Sequence, residues 1–351
     1  MSQTLYRKYR PSKFDEVLGQ EQVVSILKNA LKTENISHAY IFAGTRGTGK
    51  TSVARIFAES LGTSGNDLYE VDAASNRGID DIRAIRDAVS TMPFESRYKV
   101  YIVDEAHMLT KEAWNALLKT LEEPPAHVIF ILATTELEKI PDTILSRCET
   151  HKFKKPTLEI LRTVVSKTAK KEGFDIDTES ADLIATLADG SFRDAHGTLQ
   201  KVISGSGVDN SGKTITRQLV EKITGAPKIQ LVEDFLEHFA KRDLSKTLTV
   251  LSDVAKESQD VLMFAKLLIE TMRAVLLFKV YPPFTKEFEA KNSLERVVFI
   301  KKLSEIKNSP IRADNLREFL VALEETPRSH IPELPLELVV LKILATQETL
   351  A

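Results

Sequence analysis

The run Gly44-Thr45-Arg46-Gly47-Thr48-Gly49-Lys50-Thr51 has the spacing GxxxxGK[ST], in which glycines let successive backbone N–H groups curl around phosphate oxygens. In that pattern Lys50 sets its ammonium against the β- and γ-phosphates of a nucleotide, and the Thr51 hydroxyl ligates magnesium. Further along, Val100-Tyr101-Ile102-Val103-Asp104-Glu105 is an apolar run that ends in two carboxylates. At the C-terminal end of a central parallel strand, Asp104 can hold the magnesium while Glu105 orients or deprotonates an attacking water. A glycine-rich turn and a solvated acidic turn would explain the two segments separately. Together they predict ATP hydrolysis.

Two further segments extend the constellation. Leu132-Ala133-Thr134-Thr135 ends the next apolar run, where a hydroxyl can meet the γ-phosphate or the water, although threonines also cap ordinary turns. Ser146-Arg147-Cys148 precedes the last short run. Taken alone, Arg147 reads as a surface ion pair; so placed, it could also reach a phosphate across a subunit boundary and neutralise transition-state charge. Asp104-Glu105-Ala106-His107 spells the box of a helicase family, but the Ser-Ala-Thr motif and the second RecA-like domain of those helicases are missing from the helical sequence after residue 156. His107 therefore reads as a structural or supporting residue.

The elements that must position these groups are legible as periodicities. Ala39–Ala43, Leu68–Asp72, Lys99–Val103, Val128–Leu132 and Thr150–Phe153 are short β-branched or apolar runs, read as five strands. Helical spacing lies between them, as in Ile79, Ile82 and Val89, or Trp114, Leu117, Leu118 and Leu121. Alternating strand and helix predicts a parallel sheet covered on both faces. After Pro156 only helical periodicity is read, as in Val232, Phe235, Leu236 and Phe239, and Gly205–Gly212 is a loop. The expected class is α/β followed by all-α, with parts at 1–155, 156–225 and 226–351.

The chain has 351 residues, 42% hydrophobic and 28% charged, which excludes disordered, collagen-like and coiled-coil-only readings. Lys plus Arg, 48, against Asp plus Glu, 50, leaves a net charge of −2, so whole-chain charge selects no nucleic-acid or membrane partner. One cysteine, Cys148, forbids an internal disulfide. Neither a signal-peptide core nor an apolar run of about 18 residues is read, so a cytoplasmic location with no membrane partner is expected.

Several segments in order carry a resemblance: Tyr6-Arg7-Lys8-Tyr9-Arg10-Pro11 with Phe14, Val17, Gly19 and Gln20, the GTRGTGKT loop, the run from Asp104 to Leu109, Asn115-Ala116-Leu117-Leu118-Lys119-Thr120-Leu121-Glu122-Glu123-Pro124-Pro125, Ala133-Thr134-Thr135, Ser146-Arg147-Cys148 and Gly190-Ser191-Phe192-Arg193-Asp194-Ala195. The chain resembles the gamma/tau family of bacterial DNA polymerase III clamp-loader subunits, over residues 4 to about 200 with specific motifs and more loosely to Ile331–Leu338. The resemblance implies an AAA+ P-loop ATPase domain with a five-stranded parallel sheet, a helical lid and a C-terminal helical collar. It implies that Tyr6, Arg10, Pro11 and Val17 line the adenine site and that the GTRGTGKT loop with Ser52 binds ATP and magnesium. It further implies Thr135 as sensor 1, Arg193 as sensor 2 on the same subunit's γ-phosphate, and Arg147 as an arginine finger acting in trans. The implied partners are delta and delta-prime subunits, further copies of the chain, a sliding clamp and primer-template DNA. The implied enzyme is an ATPase within a DNA-directed DNA polymerase, a nucleotidyltransferase holoenzyme, rather than the polymerase itself.

Such loaders track the duplex backbone from inside a spiral, and the segment 74–86 occupies that position, so Arg77 and Arg83 are expected on phosphate, with a solvated helix face as the open alternative. Family members commonly carry a four-cysteine zinc module where Gly62-Thr63-Ser64-Gly65-Asn66-Asp67 stands here, so no zinc is expected. The sequence reaches Ala351 without a tau-like extension, so coupling to polymerase and helicase would need another subunit or a longer product. The alternatives are a non-hydrolysing scaffold like delta-prime, against which Lys50, Thr51, Asp104 and Glu105 argue, and another AAA+ DNA-remodelling ATPase.

Overall fold

The computed structural model describes residues 3–76, 85, 87–205, 214–256, 260–291 and 294–345. The chain divides into two compact units, Met1–Thr168 with Ile184–Gln200, and Ala169–Leu183 with Lys201–Ala351. Residues 156–225 are thereby shared between the two units.

In the first unit, β1 (Ala39–Ala43), β2 (Leu68–Asp72), β3 (Lys99–Asp104), β4 (Val128–Thr134) and β5 (Glu149–Lys152) form one sheet in the order β2-β3-β4-β1-β5. Every neighbouring pair is parallel. All of β1 and β4 and nearly all of β3 are buried, and these are the strands that read as unbroken apolar runs, as a sheet covered on both faces requires. The edge strands β2 and β5 are largely exposed and carry polar residues, so their sequence signal is weaker.

Side chains alternate across the sheet. Tyr40, Phe42, Val100, Ile102, Ile129 and Ile131 face a core completed by Val24 and Leu27 of helix Glu21–Thr33 and by Val53 and Phe57 of helix Lys50–Ser60. Ile41, Tyr101, Val103, Phe130 and Leu132 face the other side, against Trp114, Leu117 and Leu121 of helix Lys111–Glu122. The Thr110 hydroxyl caps that helix by accepting from the Ala113 N–H at 3.2 Å.

The second unit is mainly helical. The helices Ile229–Ala240, Leu244–Lys256, Val261–Val280 and Ala313–Glu325 meet around Phe235, Phe239, Phe264 and Phe319, whose rings pack edge to face at 5.5–6.2 Å except for the stacked pair Phe235 and Phe239. The expectation of helix alone after Pro156 is corrected by Asp175–Ile176, which pairs in parallel with Thr214–Ile215. Two-residue strands are too short to leave a period in the sequence. The predicted loop at 205–212 lies, beyond Gly205, outside the described residues.

The gap between helix Lys50–Ser60 and β2 is closed by polar contacts. The Ser64 N–H donates to Ser96 Oγ at 2.8 Å, and the buried Asp67 carboxylate accepts from the backbone N–H groups of Phe94, Glu95 and Ser96. Burial raises the Asp67 pKa, but these donors outweigh it and hold it at about 2. A carboxylate depressed below its unfolded value of about 3.9 adds stability that is complete above that value and lost as pH falls through about 2. Asp67→Ala should lower unfolding free energy by about 2 kcal/mol at pH 7, and the difference from wild type should shrink on acidification toward pH 2. Urea titrations followed by circular dichroism test both; a constant gap across pH would show that Asp67 is not the titrating group.

Candidate nucleotide site

The loop Gly44–Thr51 leaves the C-terminal end of β1 and runs into helix Lys50–Ser60, placing that helix's free N–H groups at the mouth of the loop. The Gly44 N–H donates to the Thr134 carbonyl at 3.1 Å, so the loop departs from β4 as well as β1. Gly47 has φ +76°, and a Cβ on it would lie 2.0 Å from Ser191 Oγ; only glycine fits. The Gly47 carbonyl accepts from the Phe192 N–H at 3.0 Å, tying the loop to the start of helix Phe192–Gly205. Thr48 is buried, its hydroxyl on the Thr45 carbonyl at 2.9 Å, whereas Thr45 and Arg46 are exposed at the loop tip.

Lys50 folds over the loop, its Nζ donating to the carbonyls of Gly44 at 2.7 Å and Thr45 at 3.0 Å. Burial is the main cause that lowers its pKa, and Glu105 and Asp104 pull the other way. The Thr51 hydroxyl donates to Asp104 Oδ2 at 2.8 Å, which brings the two expected magnesium ligands together although β4 separates β3 from β1. One hydroxyl beside one carboxylate suits a nucleotide-bound magnesium, which keeps water and phosphate oxygens as its other ligands. No group of three or more His, Cys, Asp and Glu residues placed to hold a metal occurs among the described residues. Magnesium held there by Thr51 and Asp104 would supply phosphate-charge neutralisation.

Glu105 follows with φ 49°, left-handed for a non-glycine residue, which turns its side chain at the strand end. Its Oε2 accepts from the Thr135 hydroxyl at 3.2 Å, so the predicted base and the predicted sensor meet.

The amino-terminal segment packs on the same loop. Arg10 Nε donates to Ser52 Oγ at 2.8 Å, and desolvation leads the causes that lower the Arg10 pKa. The Arg193 guanidinium lies 5.9 Å from the centroid of the Tyr6 ring, and Tyr9 stacks with His196 at 6.3 Å. Pro11 is half-buried, and Val17 packs at the margin of the core beneath helix Glu21–Thr33. Arg147 stands elsewhere, on Glu122 Oε1 at 2.7 Å, the Thr143 carbonyl at 2.7 Å and Ser146 Oγ at 3.2 Å. Arg77 and Arg83 lie outside the described residues. Residue types alone did not single out Gln20 as a clamp: buried, it donates to the carbonyls of Lys154 at 2.7 Å and Thr48 at 3.4 Å and accepts from the Lys154 N–H at 3.0 Å. The Gly19-Gln20 pair before a helical run was the available signal.

A family model described as DNA polymerase III, delta subunit, matches residues 19–78 and 63–157. The DNA polymerase III subunit gamma of Buchnera aphidicola subsp. Baizongia pistaciae is 37% identical over 330 residues, which cover 87% of this chain and 86% of that protein. The chain belongs to the gamma/tau family of DNA polymerase III subunits. The Bacillus subtilis subunit tau is likewise 37% identical, over 98% of this chain, but the chain spans only 63% of that protein and 40% of the gamma/tau subunit of Mycoplasma pneumoniae, which is 39% identical. Among solved structures, the RuvB Holliday junction branch migration motor of Thermotoga maritima superposes with a TM-score of 0.53 at 23% identity, covering 66% of this chain and 79% of that one. That likeness shows the fold alone. Among the described residues no helix of this gamma/tau-family chain is long and apolar enough to cross a membrane.

ATP with magnesium at 100 times its Kd should stabilise the wild-type chain by about 2.7 kcal/mol, read as a rise in thermal midpoint. Lys50→Ala should lose that rise while keeping its nucleotide-free midpoint to within a few degrees; an undiminished rise would mean that nucleotide binds elsewhere.

Proposed function

We propose that this chain is the ATP-hydrolysing motor subunit of a DNA polymerase III clamp loader, opening a sliding clamp and loading it onto primed DNA. The observation that carries this reading is the convergence of Thr51 with Asp104 and of Thr135 with Glu105 beside an intact P-loop, within a chain of the gamma/tau family. A scaffold that binds no nucleotide has no need of four such groups held in register. ATP binds with its phosphates in the loop, Lys50 shifts from the Gly44 and Thr45 carbonyls to phosphate oxygens, and Glu105 activates the water. Arg193, at the start of a helix bonded to Gly47, serves as sensor 2, and Tyr6, Arg10, Pro11 and Val17 border the base. The division into ATPase, lid and collar parts, the partners delta, delta-prime, clamp and primer-template DNA, and phosphate contacts by Arg77 and Arg83 belong to the same proposal.

Arg147 completes the site of a neighbouring copy. Its ion pair with Glu122 lies at the surface, with side chains 34% and 48% exposed, and such pairs contribute about 1 kcal/mol or less. A nucleotide phosphate presented by a neighbour therefore competes easily for the guanidinium.

The test mixes two inactive chains. Lys50→Ala and Arg147→Ala should each lose most ATPase activity when assembled with delta and delta-prime subunits on primed duplex, and mixing them should restore part of it. A mixture that stays inactive beside an active wild type would place Arg147 in its own subunit's site or show that the chains do not exchange.

A further inference from the structure

His107 takes no part in the chemistry above, yet its side chain is only 7% exposed and sits between two carboxylates. Its Nδ1 lies 3.1 Å from Thr134 Oγ1 and 3.5 Å from Glu105 Oε2, and its Nε2 lies 3.3 Å from Glu136 Oε1. The Thr134 hydroxyl, fully buried, also accepts from the Glu136 N–H at 3.0 Å, and Glu136 pairs with Lys139 at 2.7 Å. The ring thus bridges the end of β3 to the loop that follows β4.

Resting on the reading of Glu105 as the group that activates water, we propose that His107 is a positioning residue that orients the Glu105 carboxylate by fastening it to Thr134 and Glu136. A glutamate side chain has three rotatable bonds and, left to itself at an open strand end, samples many orientations. The Thr135 hydroxyl donates to Oε2 at 3.2 Å, and the His107 ring, held by Thr134, stands 3.5 Å from the same oxygen on a different element, which restricts that oxygen and leaves Oε1 for the water. Misplacing such a group by about 1 Å costs up to about a hundredfold in rate. Because the anchors belong to β4 and its loop, the orientation of Glu105 is set by the strand that also receives the Gly44 N–H.

The experiment uses the chain assembled with its partner subunits on primed duplex, reading kcat and KM for ATP, with equilibrium ATP affinity measured separately. Expected for His107→Ala is a kcat lower by about tenfold or more, with KM and ATP affinity within about twofold of wild type. His107→Asn, which keeps a donor near the place of Nδ1, should recover part of the loss, and Glu136→Gln should lower kcat by a smaller factor. His107→Ala combined with Glu105→Gln should be no slower than Glu105→Gln alone, because the histidine acts through the glutamate. Unchanged kcat in His107→Ala, an asparagine variant no better than alanine, or further slowing in the double variant would each overturn the proposal. If His107→Ala does not fold, the decision falls to His107→Asn and Glu136→Gln: wild-type kcat in both overturns it, and reduced kcat at unchanged ATP affinity supports it. A wild-type assembly that hydrolyses no ATP would instead refute the functional reading itself, which separates the two failures.

Discussion

The parallel pairing of β1 with β4, which sets Ala43 opposite Thr134, is the constraint from which the site follows. Parallel strands end at one level, so that register brings the start of the P-loop and the Thr134-Thr135 hydroxyls to one edge of the sheet. β3, on the far side of β4, delivers Asp104 and Glu105 to the same edge. The Gly44 N–H on the Thr134 carbonyl locks the junction. A slip of one residue would turn every side chain of a strand to the opposite face, burying Tyr40 and Phe42 where Ile41 belongs and moving the polar groups at the strand ends out of reach of one another. The two hydrophobic cores hold that register, so the chemistry at the sheet's end depends on packing along its whole length.

The second dependence is the close approach at Gly47. With Ser191 against its Cα and the Phe192 N–H on its carbonyl, the loop is shaped partly by a segment far along the chain. The loop backbone and the start of the helix that carries Arg193 are therefore joined directly. A β-carbon at residue 47 would break that link by steric overlap before affecting any phosphate contact.

The polar groups divide by exposure. Asp67, Gln20 and Thr134 are buried, each meets partners with good geometry, and they fix loops in place. Arg147 and Glu122 form an ion pair with side chains 34% and 48% exposed, which couples them only weakly. Gln20 and Thr134 stand beside the P-loop, whereas Asp67, before β2, fixes the turn at the opposite end of the sheet.

The sequence by itself determined the three central strands, the P-loop, and the paired carboxylates after β3, because buried parallel strands must be continuously apolar and phosphate binding needs glycines and a lysine at fixed spacing, and it marked the exposed edge strands β2 and β5 more weakly. It also determined the helical character beyond Pro156, since amphipathic periods such as Val232, Phe235, Leu236 and Phe239 survive without knowledge of their partners. Tertiary structure alone decided the strand order that brings Thr51 to Asp104, the clamp made by Gln20, the turn held by Asp67 and the place of His107 between Glu105 and Glu136. The same was true of the short strand pair at Asp175–Ile176 and Thr214–Ile215. Periodicity records which face of an element is buried. Contacts between residues distant in the chain are set by how the elements pack, and a single polar residue in a loop carries no period from which its partner could be read.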